Sequence, residues 1–206
     1  MASEVVDGVV VPLRVGGHPA VDFCNTRTAW DLPSPKEYLL DGGVLAVWAR
    51  EVGLVDAPTA RAARTAAAAA PRRARHVVRR AVELRSALHG MLRDGGPARA
   101  AGWPVVSREA AFLASSSTLL PGDGDAPARW APAVTTDPLL LPYLAVVRAT
   151  AELLTTDLAN HVRACPMPDC GWLFADPTGR RRWCSMAWCG NRAKARRYAA
   201  RSRDRA

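Results

Sequence analysis

The spacing of apolar and polar positions predicts a chain that is helical for most of its length. Val77, Ala81, Leu84, Leu88 and Met91 recur at intervals of three and four with arginines opposite, which predicts an amphipathic helix over residues 72–93. Leu140, Leu144, Val147, Ala151, Leu154 and Leu158 stripe a second long helix, and Leu45, Trp48 and Val52 mark a shorter one. Ser107 can cap a short helix through Ala114. Ser34-Pro35-Lys36-Glu37 has the form of a helix start, with a Ser cap, Pro in the first turn and Glu three positions after the cap. Val5 to Val15 alternates weakly, as an N-terminal strand would, and stops at Gly16-Gly17. Ala60 to Ala70 suits helix or linker. Asp94-Gly95-Gly96-Pro97 reads as a stop, and the Gly-, Asp- and Pro-rich run 121–132 as a loop. Regular stripes make core, so residues 1–158 are expected to form one mostly helical domain with a few strands, and the whole chain an α+β fold.

Beyond residue 158 the periodicity gives way to cysteines. Cys165 and Cys170 form one C-x4-C pair, and Cys184 and Cys189 form another. Zinc in a structural site prefers a closed tetrahedron of thiolates, and two short loops let each pair converge on one ion. One structural Zn2+ held by Cys165, Cys170, Cys184 and Cys189 is therefore expected in a unit spanning residues 159–206. Four sulfur donors leave no position open for water, which argues against catalysis by the metal. Two disulfides are the alternative, and they require an oxidising compartment. Between the pairs, Trp172-Leu173-Phe174 and Arg181-Arg182-Trp183 suit the two strands of a hairpin turned at Asp176-Pro177-Thr178-Gly179. Residues 192–203 are an Ala/Arg mixture that favours helix. Knuckle, hairpin, knuckle and helix together resemble a zinc ribbon or treble clef.

Charge sharpens this division. The net charge of +9 is carried unevenly: residues 161–206 hold 11 Lys/Arg against 3 Asp/Glu, whereas residues 1–160 hold 17 against 16. Such asymmetry implies an anionic partner for the cysteine-bearing end. Arg180, Arg181 and Arg182 cluster at the expected hairpin, and Arg192, Lys194, Arg196 and Arg197 lie on the expected helix. Guanidinium groups bind phosphate in pairs of hydrogen bonds, so these seven are the candidate nucleic-acid contacts. Trp172, Trp183 and Trp188 lie among them, either to stack on bases or to cover the small metal core.

The start of the chain offers a second cluster. His18, Asp22, Asn25 and Thr26 sit close together and are candidates for a ligand pocket, or for capping a strand-to-helix junction. Cys24 reads as a small buried apolar residue. No apolar run approaches the roughly 20 residues of a membrane span, and the N-terminus lacks the pattern of a secretory signal, so a cytoplasmic protein is expected. No P-loop, dinucleotide-binding glycine motif, nucleophile elbow or zinc-protease motif is present, and the four histidines are dispersed.

The segments Cys170-Gly-Trp-Leu-Phe174, Arg182-Trp-Cys-Ser-Met186 and Cys189-Gly190-Asn191-Arg192-Ala193-Lys194 resemble the bacterial CGNR zinc finger, which is named for the residues found here at 189–192. Gly16-Gly-His-Pro-Ala-Val-Asp-Phe-Cys-Asn-Thr26 resembles the opening of the ABATE domain that usually precedes this finger. The resemblance covers almost the whole chain. It implies a stress-responsive transcription regulator whose four cysteines hold zinc, whose finger contacts nucleic acid and whose first domain senses a ligand. Some members are described instead as zinc-ribbon-like RNA-binding proteins. Within the resemblance Gly190 would relieve strain after the last ligand, Asn191 would cap the helix or bond a cysteine sulfur, and Arg192 would reach phosphate. The sequence-level expectation is thus a regulator that binds DNA, with RNA as the alternative nucleic acid and a protein–protein adaptor as the alternative role. Residues 1–158 would serve as a ligand-binding or dimerising domain.

Overall fold

A computed structural model of the protein describes residues 3–93, 96–133 and 136–203. Strands β1 (Ser3–Val6) and β2 (Val9–Pro12) form an antiparallel hairpin where one longer strand was expected. Asp7 and Gly8 both take positive φ, 49° and 78°, and turn the chain in the geometry that a tight hairpin favours. Helix α1 (Pro19–Cys24) follows. The expected helix start at Ser34 is absent. Lys36–Glu37 is instead strand β4, paired with β3 (Arg27–Thr28). Tertiary bonds override the capping signal here: the Glu37 carboxylate accepts from the Leu39 amide at 2.8 Å and from Arg85 at 2.6 and 2.5 Å.

Helices α2 (Gly42–Glu51) and α3 (Ala57–Ala69) are capped by Asp41 and Asp56, which settles the alanine-rich run as helix. Helix α4 (Pro71–Arg93) carries the predicted stripe inward. Of the expected stop after it, Asp94 and Gly95 lie outside the described residues. Helix α5 (Gly96–Ser115) runs past Ser107, which lies inside it rather than capping it. It crosses α4 so closely that a Cβ at Gly102 would stand 2.3 Å from Met91. The expected loop 121–132 ends in strand β6 (Arg129–Pro132), which pairs with β5 (Ser117–Leu120). Helix α6 (Leu141–Leu154) stops one residue short of Thr155, and Leu158 belongs to a separate 3-10 turn, Asp157–His161.

The main core joins these helices around Phe23, Leu45, Trp48, Leu84, Met91, Tyr143 and Val147, with the Phe23 and Trp48 rings 5.6 Å apart. The fold is mostly helical with small antiparallel strand pairs, an α+β arrangement. The last pair is β7 (Val162–Ala164) with β8 (Leu173–Ala175). Thus Leu173-Phe174 finds its partner upstream, and Arg181-Arg182-Trp183 is not a strand. The turn at residues 176–179 does form, with the Gly179 amide donating to the Asp176 carbonyl. A wide helical turn, Met186–Gly190, then leads into α7 (Asn191–Arg203).

Candidate metal centre and nucleic-acid interface

The first cysteine pair is held by the β7–β8 hairpin, since Cys165 follows β7 directly and its amide donates to the Trp172 carbonyl at 2.8 Å. The second pair is held by the wide turn, where the Gly190 amide bonds the Ser185 carbonyl. A Cβ at Gly190 would meet the Met186 sulfur at 2.5 Å and the Trp183 ring at 3.2 Å. Glycine is needed there for space, not to relieve strain.

All four sulfurs lie within 4.8 Å of one another and are buried. Three of the separations, Cys170–Cys184, Cys184–Cys189 and Cys189–Cys170, are 3.7, 3.5 and 3.7 Å. Tetrahedral thiolates at a Zn–S distance of about 2.3 Å stand about 3.8 Å apart, so the donor set fits one zinc ion. These distances are far too long for disulfides, and all five cysteines are free. The three neighbouring sulfurs push the Cys184 thiol far above its ordinary range, so full deprotonation of the cluster requires a cation. Met167, Trp172, Phe174 and Ala193 enclose the sulfurs in a small core of their own. Trp172 is part of this cover, Trp183 is packed against its edge, and Trp188 is 47% exposed.

The metal-binding segment is fastened to the helical body by backbone bonds. The Asn25 side chain donates to the Leu173 carbonyl at 2.9 Å and accepts from the Leu173 amide at 2.8 Å, imitating one rung of a sheet. The Trp172 indole donates to the Arg27 carbonyl, the Ala29 amide to the Cys170 carbonyl and the Ala175 amide to the Gly16 carbonyl. Gly171 takes a φ of +68°, and a Cβ there would press on Trp30 at 3.0 Å. Trp30 stacks on His89 with ring centroids 3.7 Å apart, and the His89 Nε2 lies 2.9 Å from the Gly171 carbonyl oxygen. Below this contact Arg85, fully buried on α4, grips Glu37 with both terminal nitrogens and donates to the Thr26 hydroxyl.

The four polar residues near the N-terminus are therefore all engaged. His18 accepts from the Ala20 amide as the cap of α1, and burial keeps its imidazole below the usual range despite the nearby Glu152, as an acceptor nitrogen requires. Asp22 accepts from the Val15 and Gly16 amides, while burial pushes its carboxyl up to about 6. Asn25 clasps Leu173. Thr26 donates to the Phe23 carbonyl and accepts from Arg85. Cys24 is buried, and desolvation pushes its thiol up.

The candidate nucleic-acid residues divide into two groups. Arg181 lies over the Phe174 ring and donates to the carbonyls of Val15, Ala175 and Cys184, so it braces the finger. Arg192 pairs with Asp169, and Asn191 donates to the Ala187 carbonyl. Arg180, Arg182, Lys194, Arg196 and Arg197 are exposed. From Lys194 to Arg201 every residue of α7 is exposed, and the helix contains no acidic residue.

Arg85, His89 and Trp30 are the structural residues that reading the sequence overlooks. The available signal is that Arg85 shares a helical face with Ala81 and Leu88, an unusual site for an unpartnered charge.

Comparison with known proteins agrees with this geometry. Residues 161–202 match the CGNR zinc finger. Residues 17–157 match ABATE, a family described as "Putative stress-induced transcription regulator". No curated protein matches the chain. With the larger match spanning well over half of its residues, the chain belongs to the ABATE family and carries a C-terminal CGNR zinc finger.

Proposed function

We propose that the protein regulates transcription by binding duplex DNA, with residues 159–206 as the reading unit and residues 1–158 as its support. The observation that carries this reading is α7, a helix with its first turn rooted beside a metal ligand, Cys189, and with residues 194–201 exposed and carrying only positive charge. A helix of this kind fits the major groove of B-DNA, whose width of about 12 Å accepts one helix, whereas the deep groove of A-form RNA is too narrow. Arg180 and Arg182 stand ready for the flanking phosphates. A closed four-sulfur site supports a binding role over an enzymatic one.

An RNA-binding role is the second reading, and the exposed Trp188 favours it, because an indole beside arginines can stack on an unpaired base.

The test is fluorescence anisotropy of the zinc-loaded protein on duplex DNA and on structured RNA across a salt series. Steep weakening with salt, preference for duplex DNA and a slope reduced by alanines at Lys194, Arg196 and Arg197 are expected. Preference for RNA that Trp188→Ala abolishes would replace the first reading with the second. Salt-independent behaviour on both would leave the adaptor role.

A further inference from the structure

A cavity of about 490 Å3 lies away from the metal centre, and one of its lining residues, Glu152, is the carboxylate near His18. Its floor is one face of α6, where Leu141, Ala145, Arg148 and Glu152 follow at steps of four, three and four. The β5–β6 hairpin lines it through Ser117, Arg129, Trp130 and Pro132, and Leu54 and Leu113 complete the apolar lining. The volume falls within the range of about 300–1,000 Å3 typical of small-molecule sites.

Arg148 gives this cavity its chemistry. It is half-buried, and it has no hydrogen bond or ion pair among the described residues. Other withdrawn arginines have partners: Arg80 has Glu109, Arg85 has Glu37, Arg181 has three carbonyls, and Arg27 has the face of the Trp30 ring. A guanidinium withdrawn from water and left without a carboxylate is set up to receive one in a forked, two-bond geometry. Arg129 on the hairpin adds a second unpaired cation at the rim. Of the two carboxylates lining the cavity, Asp56 is committed to capping α3, and Glu152 is exposed and lies near His18. Trp130 is 57% exposed and Leu119, its partner across the hairpin, 54%, so apolar surface at the mouth awaits cover.

We propose that this cavity binds a small carboxylic acid with an apolar body, its carboxylate on Arg148 and its body between Leu144 and Trp130. The site is independent of the nucleic-acid reading, and its test contains no nucleic acid.

Isothermal calorimetry on the full zinc-loaded chain would use phenylacetate and octanoate, with phenylacetamide and octanamide as neutral counterparts. The acids should bind at least about tenfold more tightly than the amides. Arg148→Gln should remove that preference, and Arg148→Lys should restore part of it. Trp130→Ala should weaken acids and amides alike. Far-ultraviolet circular dichroism would confirm that each variant keeps the wild-type helix content. No binding of either acid at millimolar concentration would overturn the proposal, as would acid binding by Arg148→Gln at wild-type strength.

Discussion

The two halves of the finger make opposite uses of their surroundings. In the first half Cys165, Met167, Cys170 and all of β8 are buried, and the bonds to the body run almost entirely through neutral groups: the Asn25 amide, the Trp172 indole and several backbone carbonyls. The second half ends in α7, of which Ala193 is buried and residues 194–201 are exposed. One half is fixed by hydrogen bonds to the body, and the other carries exposed positive charge. The four sulfurs are the joint between them. A small domain can thus combine an accurately placed base with an exposed cationic helix, because the metal bears the burden of connecting the two.

Removing the metal breaks the comparison most completely. Structural zinc supplies on the order of 10 kcal/mol to small domains. Chelation or Cys184→Ser should therefore unfold the second half, with amide exchange in residues 184–203 rising to that of free chain. The first half should lose less protection, since its hairpin and its bonds to Asn25 persist. Equal loss in both halves would show that the body does not hold the first knuckle by itself.

Asn25→Ala attacks the joint from the other side. It leaves the buried Leu173 amide and carbonyl without partners, at about 1–3 kcal/mol each. Urea denaturation should show a loss of about 2–4 kcal/mol, and zinc affinity should fall with it. An unchanged midpoint would mean that water replaces both bonds.

Arg181 and Arg182, adjacent in sequence, sharpen the contrast. Arg181→Ala removes three bonds to carbonyls and should cost about 1–3 kcal/mol of stability while leaving the salt slope of nucleic-acid binding unchanged. Arg182→Ala should leave thermal stability within about 0.5 kcal/mol and lower the slope by about 1. Reversal of the two phenotypes would reassign the bracing role.

A further expected effect is a pH slope from Asp22. Its carboxyl is held near 6 in the fold, above the ordinary aspartate value of about 3.9, so the folded state binds the proton more tightly. This contribution is complete below about pH 4 and is lost as the pH rises through about 6, at no more than about 1.4 kcal/mol per pH unit. Asp22→Asn keeps an oxygen for the Val15 and Gly16 amides and removes the titration. The variant should therefore gain on the wild type between pH 4 and 7, whereas acid release of zinc affects both alike. Parallel stability curves would place the Asp22 carboxyl back in the ordinary range.

The metal-binding cysteines and the α4 stripe were legible because their chemistry is local: ligand spacing and helical period are written within a few residues. Contacts that depend on distant partners were not. The capping signature at Ser34–Glu37 is genuine as local chemistry, but Glu37 is claimed by Arg85, 48 positions away. The strand at Leu173 had a plausible partner on either side, and the Asn25 clasp favours the register with Val162–Ala164. The Asp7-Gly8 turn is also local chemistry, but the valines on either side give the appearance of one longer strand.

Helix α7 can also be regarded as a lever. Its 13 residues extend about 20 Å from the pivot at Cys189. A rotation of roughly 10° at that pivot would sweep the far end through about 3.4 Å, the rise between successive base pairs. On the proposed DNA-binding reading, small adjustments at the last ligand would therefore be magnified into about one base-pair rise at the end of the helix.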